Sequence, residues 1–473
     1  MANIKEKNGE DGTKLHVAMF PWLAFGHLVP HLELSKIMVQ KGHIVSFIST
    51  PRNIDRLLPR LPEDLSTAIN FVKLPFPGHN KLPEDAEATI DVPFHLVSYL
   101  KIAFDGLKNP LTEFLESSKP DWLLQDFAPY WLPPIETEST RLGIKNGFFT
   151  AFNGASFGIL KPSGFKEYRT SPEDFLTKPK WVPFQTPIPF RLFESKPIFE
   201  GLMHESTEGN IPDLDRSTGV IDGCDIIIVR SCNEYEAEWL GLIQELYGKP
   251  VIPVGVLPPK PEERFKNTDT WLSIKKWLDS RKPNSVVYVS FGSEAKPSQT
   301  ELNAIALGLE LSGLPFFWVL RTGRGPLDTE PLELPEGFEE RTAERGMVWR
   351  GWVEQLRTLN HESIGLLLTH AGWSTMIEAV RFAKPMVMLA FVPDQGLNAR
   401  VAEEKEIGYM IPRDETTGSF TKEDVAKSLR LVMEGEEGKV YRENVKDMKR
   451  VFGDMDQQDR YVDSFLDYLV AHR

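Results

Sequence analysis

The chain has 473 residues, 41% of them hydrophobic and 26% charged, with a formal net charge of −14 at pH 7. That length allows two or three domains of ordinary size with substantial cores, and the acidic balance argues against a general binder of nucleic-acid backbones, whose affinity rests on Lys and Arg. The opening stretch 1–14 lacks the apolar core of a secretory signal and no run of about 18 apolar residues occurs, so neither export nor a membrane span is indicated; Cys224 and Cys232 are too few for a disulfide framework or a thiolate metal cage and fit a reducing, cytoplasmic compartment.

Taken in order, residues 15–20 read as an apolar strand, 21–27 as a loop, and the run from about 29 as a helix whose first turn suits Pro30. Strands follow at 44–49 and 70–74 with a helix over 51–61 between them, and the Pro-, Gly- and acid-rich stretch 75–93 reads as a long loop. Helical sequence at 96–107 and 111–115 leads to a strand over 121–124, ending near Asp126, and further strands fall at 145–149 and 225–229. Residues 161–215 have weak periodicity and read as loops and short helices over a site, where specificity would lie. The composition turns polar and Pro-rich around 254–263, so the chain is cut near 259. A second series of strands is expected at 286–291, 316–320, 347–349, 364–368, 386–389 and 408–411, and a last helix at 460–470. Alternating strands and helices of this kind imply α/β architecture with open parallel sheets.

In a doubly wound sheet of order 3-2-1-4-5, ligands bind beyond the carboxyl ends of the neighbouring strands 1 and 4. His27 and Asp126 hold those places in the first half, Ser293 and His370 in the second. After the apolar run 364–368, the residues Ala371-Gly372-Trp373-Ser374-Thr375 supply a turn and hydroxyl groups before a helical run, which makes a phosphate-binding helix N-terminus.

Trp352, Gln355, His361, His370, Gly372, Trp373, Glu378, Pro385, Asp394 and Gln395 occur in that order within 352–395. Their spacing resembles the plant secondary-product glycosyltransferase box, and nearly the whole chain is similar to the plant UDP-sugar-dependent glycosyltransferases of family one. The stretches HVAMFPWLAFGHLVPHLELSK and KGHIVSFISTPRNIDRL resemble the branch that often extends an existing glycoside.

The resemblance implies a GT-B fold, two facing Rossmann-like doubly wound domains around a cleft: 1–259 for the acceptor, 260–455 for the UDP-sugar, and 456–473 as a helix returning to the first domain. It implies His27 as general base and Asp126 as its partner. Trp352 would stack on uracil with Val353 at its edge, and Gln355 and Glu378 would hold the ribose. Ser293, His370, Gly372, Ser374 and Thr375 would surround the diphosphate. Trp373, Asp394 and Gln395 would lie along the sugar, and Thr150 would reach it from the first half. Phe25, Phe127 and Phe152 promise an apolar acceptor pocket. The implied reaction is inverting transfer from UDP-glucose, or alternatively UDP-rhamnose, to a hydroxyl of a plant flavonoid, terpenoid, phenolic or glycoside, by a monomer without metal or further cofactor.

Plainer readings stand beside these. His27 could pack before a helix, Asp126 could close a strand-end turn, Trp352 and Trp373 could be core aromatics, and His361 reads as structural. Thr375 and Glu378 fit the T-x-x-E capping box. Residues 154–158 match G-x-S-x-G, which would make Ser156 a hydrolase nucleophile were 159–164 a better helix. A silent UDP-sugar-binding protein is the other alternative, since Glu354, Ala371, Ser374, Thr375, Ala383 and Ala390 depart from the box.

Overall fold

The computed structural model describes residues 14–132, 142–161, 164–187, 190–203, 207–259, 268–292, 295–321 and 332–473. Its first sheet comprises β1 (His16–Phe20), β2 (Ile44–Ser49), β3 (Asn70–Lys73), β4 (Trp122–Gln125), β5 (Lys145–Thr150), β6 (Ile226–Val229) and β7 (Val251–Pro253). The strands are parallel, in the order β3-β2-β1-β4-β5-β6-β7. The second sheet comprises β8 (Val286–Ser290), β9 (Phe316–Leu320), β10 (Gly346–Arg350), β11 (Ile364–Thr369), β12 (Met386–Met388) and β13 (Gly408–Met410), again parallel, in the order β10-β9-β8-β11-β12-β13. Continuous apolar strands such as β6, Ile-Ile-Ile-Val, are buried along their whole length because helices cover both faces. Both sheets have the expected order, and each has its switch point between its first and fourth strands.

Three local expectations change. The first helix begins at Phe25 and runs to Gln40, so Pro30 is its sixth residue, and His27 stands in the first turn instead of on a preceding loop. β7 was not anticipated: three residues are too few to show a period, and Pro253 reads as a breaker, but an edge position tolerates it. Within 161–215, Leu192–Met203 is a regular helix of 12 residues, and Asp213–Gly223, of 11 residues, begins at the segment's end and runs beyond it. The first buries only Ser195 and Ile198, too little to print a helical period on the sequence.

The long loop 75–93 is held onto the Pro51–Leu57 helix by Asp85, Glu87 and Asp91, of which Asp91 collects the most bonds. Asp91 receives Arg56 at 2.5 and 2.9 Å and the N–H groups of Glu87 and Ala88 at 3.1 and 2.9 Å. The final helix, Met455–Ala471, is capped by Asp454, which accepts from Gln457 N–H at 3.0 Å. Its Val462, Phe465, Leu466 and Leu469 enter the apolar core of the first sheet, and Trp122 Nε1–H donates to the Leu469 carbonyl at 3.0 Å.

Phe465 is fully buried in that core, so Phe465→Ala should lower stability by ~3–5 kcal/mol. A denaturant-unfolding midpoint unchanged by the substitution would show that this helix is not docked in solution.

Candidate active site

A cleft of about 2500 Å³ opens at the carboxyl ends of both sheets, with residues of the two halves on facing walls. On the first wall, β1 and β4 bring together the residues that follow them. The His27 Nδ1–H donates to Asp126 Oδ2 at 2.7 Å, which commits that nitrogen and leaves Nε2 as the one that could take a proton. Asp126 is further fixed by the N–H groups of Phe127 at 2.7 Å and Trp22 at 3.2 Å. Burial pushes its carboxyl pKa up, but His27, His31 and the Phe127 N–H outweigh this and hold it below the ordinary carboxylate value. Phe127 and Phe152 flank the His27 ring at 5.7 and 5.4 Å between centroids, and both line the cleft with Phe25.

On the facing wall, Trp352 is 59% exposed, which removes the core-aromatic reading for it. Behind it runs a polar chain: Ser290 Oγ donates to Gln355 Oε1 at 3.1 Å, and Gln355 Nε2 donates to Glu378 Oε2 at 2.6 Å. Burial pushes the Glu378 carboxyl up against the opposing influence of Gln355 and Arg230. Glu378 does not cap its helix, because Trp373–Arg381 begins after Gly372 and has no side-chain cap. The first N–H groups of that helix therefore face the cleft wall without a side-chain acceptor, in the arrangement that suits an anion. His370 lies between two glycines; a Cβ at Gly292 or Gly372 would come within 2.7 or 2.5 Å of its ring. Burial lowers the His370 pKa to about 4, so the ring is neutral at physiological pH.

His370, Gly372, Ser374, Thr375, Glu378, Asp394, Gln395, Trp352, Val353 and Gln355 all border this one cleft. Ser293 lies outside the described residues. Two expectations need correction. Thr150 is buried, accepts from the Phe152 N–H at 3.1 Å through its hydroxyl and does not line the cleft. The Trp373 indole, although its residue borders the cleft, is buried against Tyr235 and Phe452 and donates to the Arg230 carbonyl at 2.8 Å, so it is a packing group and not a surface along the sugar. Gln395 is buried, and its Oε1 accepts from the Phe391 and Val392 N–H groups at 3.0 and 3.2 Å; its amide oxygen is thereby engaged in shaping its own loop.

Ser156 does not form a nucleophile elbow. It is buried in the first turn of the Gly154–Leu160 helix, where Asn153 Oδ1 accepts its N–H at 2.9 Å and its hydroxyl donates to Asn398 Oδ1 at 3.3 Å. His361 is structural, bonding Ser363 at 2.9 Å and Asp279 at 3.1 Å.

Sequence reasoning passed over two residues, one lining the cleft and one bonded to a residue that does. Phe94 is 74% exposed and faces the cleft from the turn after the pinned loop. Arg230 follows β6 and crosses to the second half; its strand-end position is the signal that could have flagged it, as it flagged Asp126.

Two facing parallel sheets with an interdomain cleft at their switch points define the GT-B architecture of nucleotide-sugar transferases. Residues 266–472 match the family described as UDP-glucoronosyl and UDP-glucosyl transferase. UDP-glycosyltransferase 91A1 of Arabidopsis thaliana is 77% identical over 474 residues, covering 100% of both chains, and the soyasaponin III rhamnosyltransferase of Glycine max is 43% identical over 98% of each. The solved structure of Glycyrrhiza uralensis UGT73P12 complexed with glycyrrhetinic acid 3-O-monoglucuronide shares the fold at a TM-score of 0.76, with 23% identity over 97% of this chain and 96% of that one. The chain belongs to the plant UDP-glycosyltransferases of family one. It is an enzyme that uses a UDP-sugar donor and a small-molecule acceptor, which removes the reading as a silent binding protein. No helix among the described residues is long and apolar enough to cross a membrane.

Because the folded pKa of Asp126 lies below the unfolded value of ~3.9, its ionised form contributes stability above that pH and loses it as pH falls through the folded value. Asp126→Asn should remove this part of the acid-side slope in stability, measured by denaturant unfolding between about pH 5 and 2. A wild-type slope retained by the variant would count against the assigned charge state.

Proposed function

We propose that this enzyme is an inverting glucosyltransferase, moving glucose from UDP-glucose to a hydroxyl of a plant small molecule or its glycoside, of the flavonoid, terpenoid or phenolic classes. The observation that carries the reading is the His27–Asp126 pair at 2.7 Å on one wall of a cleft whose other wall holds Trp352, Gln355, Glu378 and an uncapped helix N-terminus. Residues 1–259 would hold the acceptor and 260–455 the donor, with 456–473 returning to the first domain.

In this scheme His27 Nε2 accepts the acceptor's hydroxyl proton as its oxygen forms a bond to the anomeric carbon, and the bond from that carbon to the β-phosphate oxygen breaks. An alcohol is a poor nucleophile at neutral pH unless a base takes its proton during attack, and an imidazole suits that work. Asp126 holds the tautomer and stabilises the imidazolium. UDP leaves with the electron pair, its growing charge met by the neutral His370, the Ser374 and Thr375 hydroxyls and the helix N–H groups. Trp352 stacks on uracil with Val353 at its edge, and Gln355 and Glu378 hold the ribose. One displacement at an α-linked donor gives a β-linked product. Phe25, Phe127 and Phe152 provide the apolar part of the acceptor site. A single chain supplies both walls, which suits a monomer, and two buried free cysteines suit the cytoplasm.

His27→Ala should reduce turnover by ~10²–10⁴-fold while UDP affinity, measured calorimetrically, stays nearly unchanged. Turnover close to wild type on an alcohol acceptor would remove the base assignment.

The donor preference rests on Asp394 and Gln395. A carboxylate and an amide side by side can bind adjacent sugar hydroxyls, and a site built for a hydroxyl rejects a sugar lacking it because buried polar groups are left unpaired. The soybean relative is named for rhamnosyl transfer, so UDP-rhamnose is the donor to compare. Turnover should be higher with UDP-glucose, and Gln395→Ala should reduce it more than it weakens UDP. Equal turnover with both donors would overturn the glucose preference, and equal losses for UDP and UDP-glucose would assign Gln395 only to the Phe391–Val392 loop.

A further inference from the structure

Arg230 belongs to the first half yet directs its guanidinium at the donor wall. It is 2% exposed; Nε donates to the Val256 carbonyl at 2.9 Å, Nη2 to the Leu257 carbonyl at 3.4 Å, and Nη1 to Ser374 Oγ at 2.6 Å. Its own carbonyl accepts from Trp373 Nε1 at 2.8 Å, so backbone and side chain grip successive residues of the Trp373–Arg381 helix. Among the described residues no carboxylate forms an ion pair with it; the nearest acidic influences are Glu378 and Glu33 acting at longer range. A buried cation met only by carbonyls and a hydroxyl is costly unless a counter-charge completes the site.

We infer that Arg230 is a positioning residue for the diphosphate of the donor, acting through the Ser374 hydroxyl. When Ser374 Oγ accepts from a guanidinium, its own hydrogen must point elsewhere, and Ser374 lines the cleft. That hydrogen is then directed to an anionic oxygen beside the helix N-terminus, and the cation polarises the O–H bond and strengthens the donation. The first half thus contributes to holding the donor without touching it. Burial lowers the Arg230 pKa to about 10, which keeps the group charged at neutral pH. The inference rests on the donor site proposed above.

Calorimetry on the full chain tests it with two probes, UDP and uridine, which differ by the diphosphate. Arg230→Gln should weaken UDP about tenfold, a hydrogen bond to a charged group being lost, and leave uridine nearly unchanged. Arg230→Lys should recover part of the loss. Ser374→Ala keeps the buried arginine in place and guards against a folding defect; its loss of UDP affinity should not add to that of Arg230→Gln in the double variant. Equal losses for uridine and UDP, unchanged UDP affinity in Arg230→Gln, or additive losses in the double variant would each overturn the inference while leaving the donor site standing. Wild-type protein that binds no UDP would overturn both.

Discussion

The cleft depends on a seam of buried polar and aromatic contacts that fixes one sheet against the other. Asn398, on the Pro393–Glu404 helix of the second half, accepts from Asn153 Nδ2 at 2.9 Å and donates to the Ala371 carbonyl at 3.1 Å. Ala371 has a left-handed φ of +62°, an unfavourable conformation for a residue with a Cβ, and the Asn398 bond helps to hold it there. Beside it the Trp373 indole packs between Tyr235 and Phe452 at centroid distances of 5.2 and 6.0 Å. The turn that aims the His370 ring and starts the Trp373–Arg381 helix is therefore shaped from both halves: Asn398 and Phe452 belong to its own, while Tyr235 and, through Asn398, Asn153 reach it from the other. Glu236 completes the seam from below: its carboxylate accepts from the Gly154 and Ala155 N–H groups at 2.6 and 2.9 Å and so anchors the helix that carries Asn153 and Ser156.

The parts of this arrangement legible in the sequence were those governed by local pattern. Buried parallel strands print continuous apolar runs, and the residue after each strand is positioned by the strand itself, so Asp126 and His370 could be located from their neighbours alone. The Ser290–Gln355–Glu378 chain was not legible, because it joins three elements and no spacing encodes it. The Trp373 indole shows the opposite limit. Its place in the box marked it as a site residue, but the side chain's direction depends on Tyr235 and Phe452, 138 and 79 positions away in the numbering, which no local pattern reports. Pro30 misled for a third reason: a proline favours the first turn but does not require it, and the helix accommodates it one turn later.

Three of the histidines in and around the cleft show how surroundings divide one residue type among tasks. His31 is fully buried, donates from Nδ1 to the His27 carbonyl at 2.8 Å and lies against Phe149, and burial lowers its pKa to about 4. His370, between its glycines, is lowered to the same range by burial alone. Both are neutral rings, fit to donate or pack but not to hold a proton. His27 differs in having a carboxylate 2.7 Å from Nδ1. A proton arriving at Nε2 would meet a countercharge already in place, whereas burial acts alone on His370 and at His31 outweighs the more distant Asp126. In the proposed reaction this difference would leave His27 as the imidazole that takes the acceptor's proton, and would let the neutral His370 meet an anionic diphosphate as a dipole without competing for that proton.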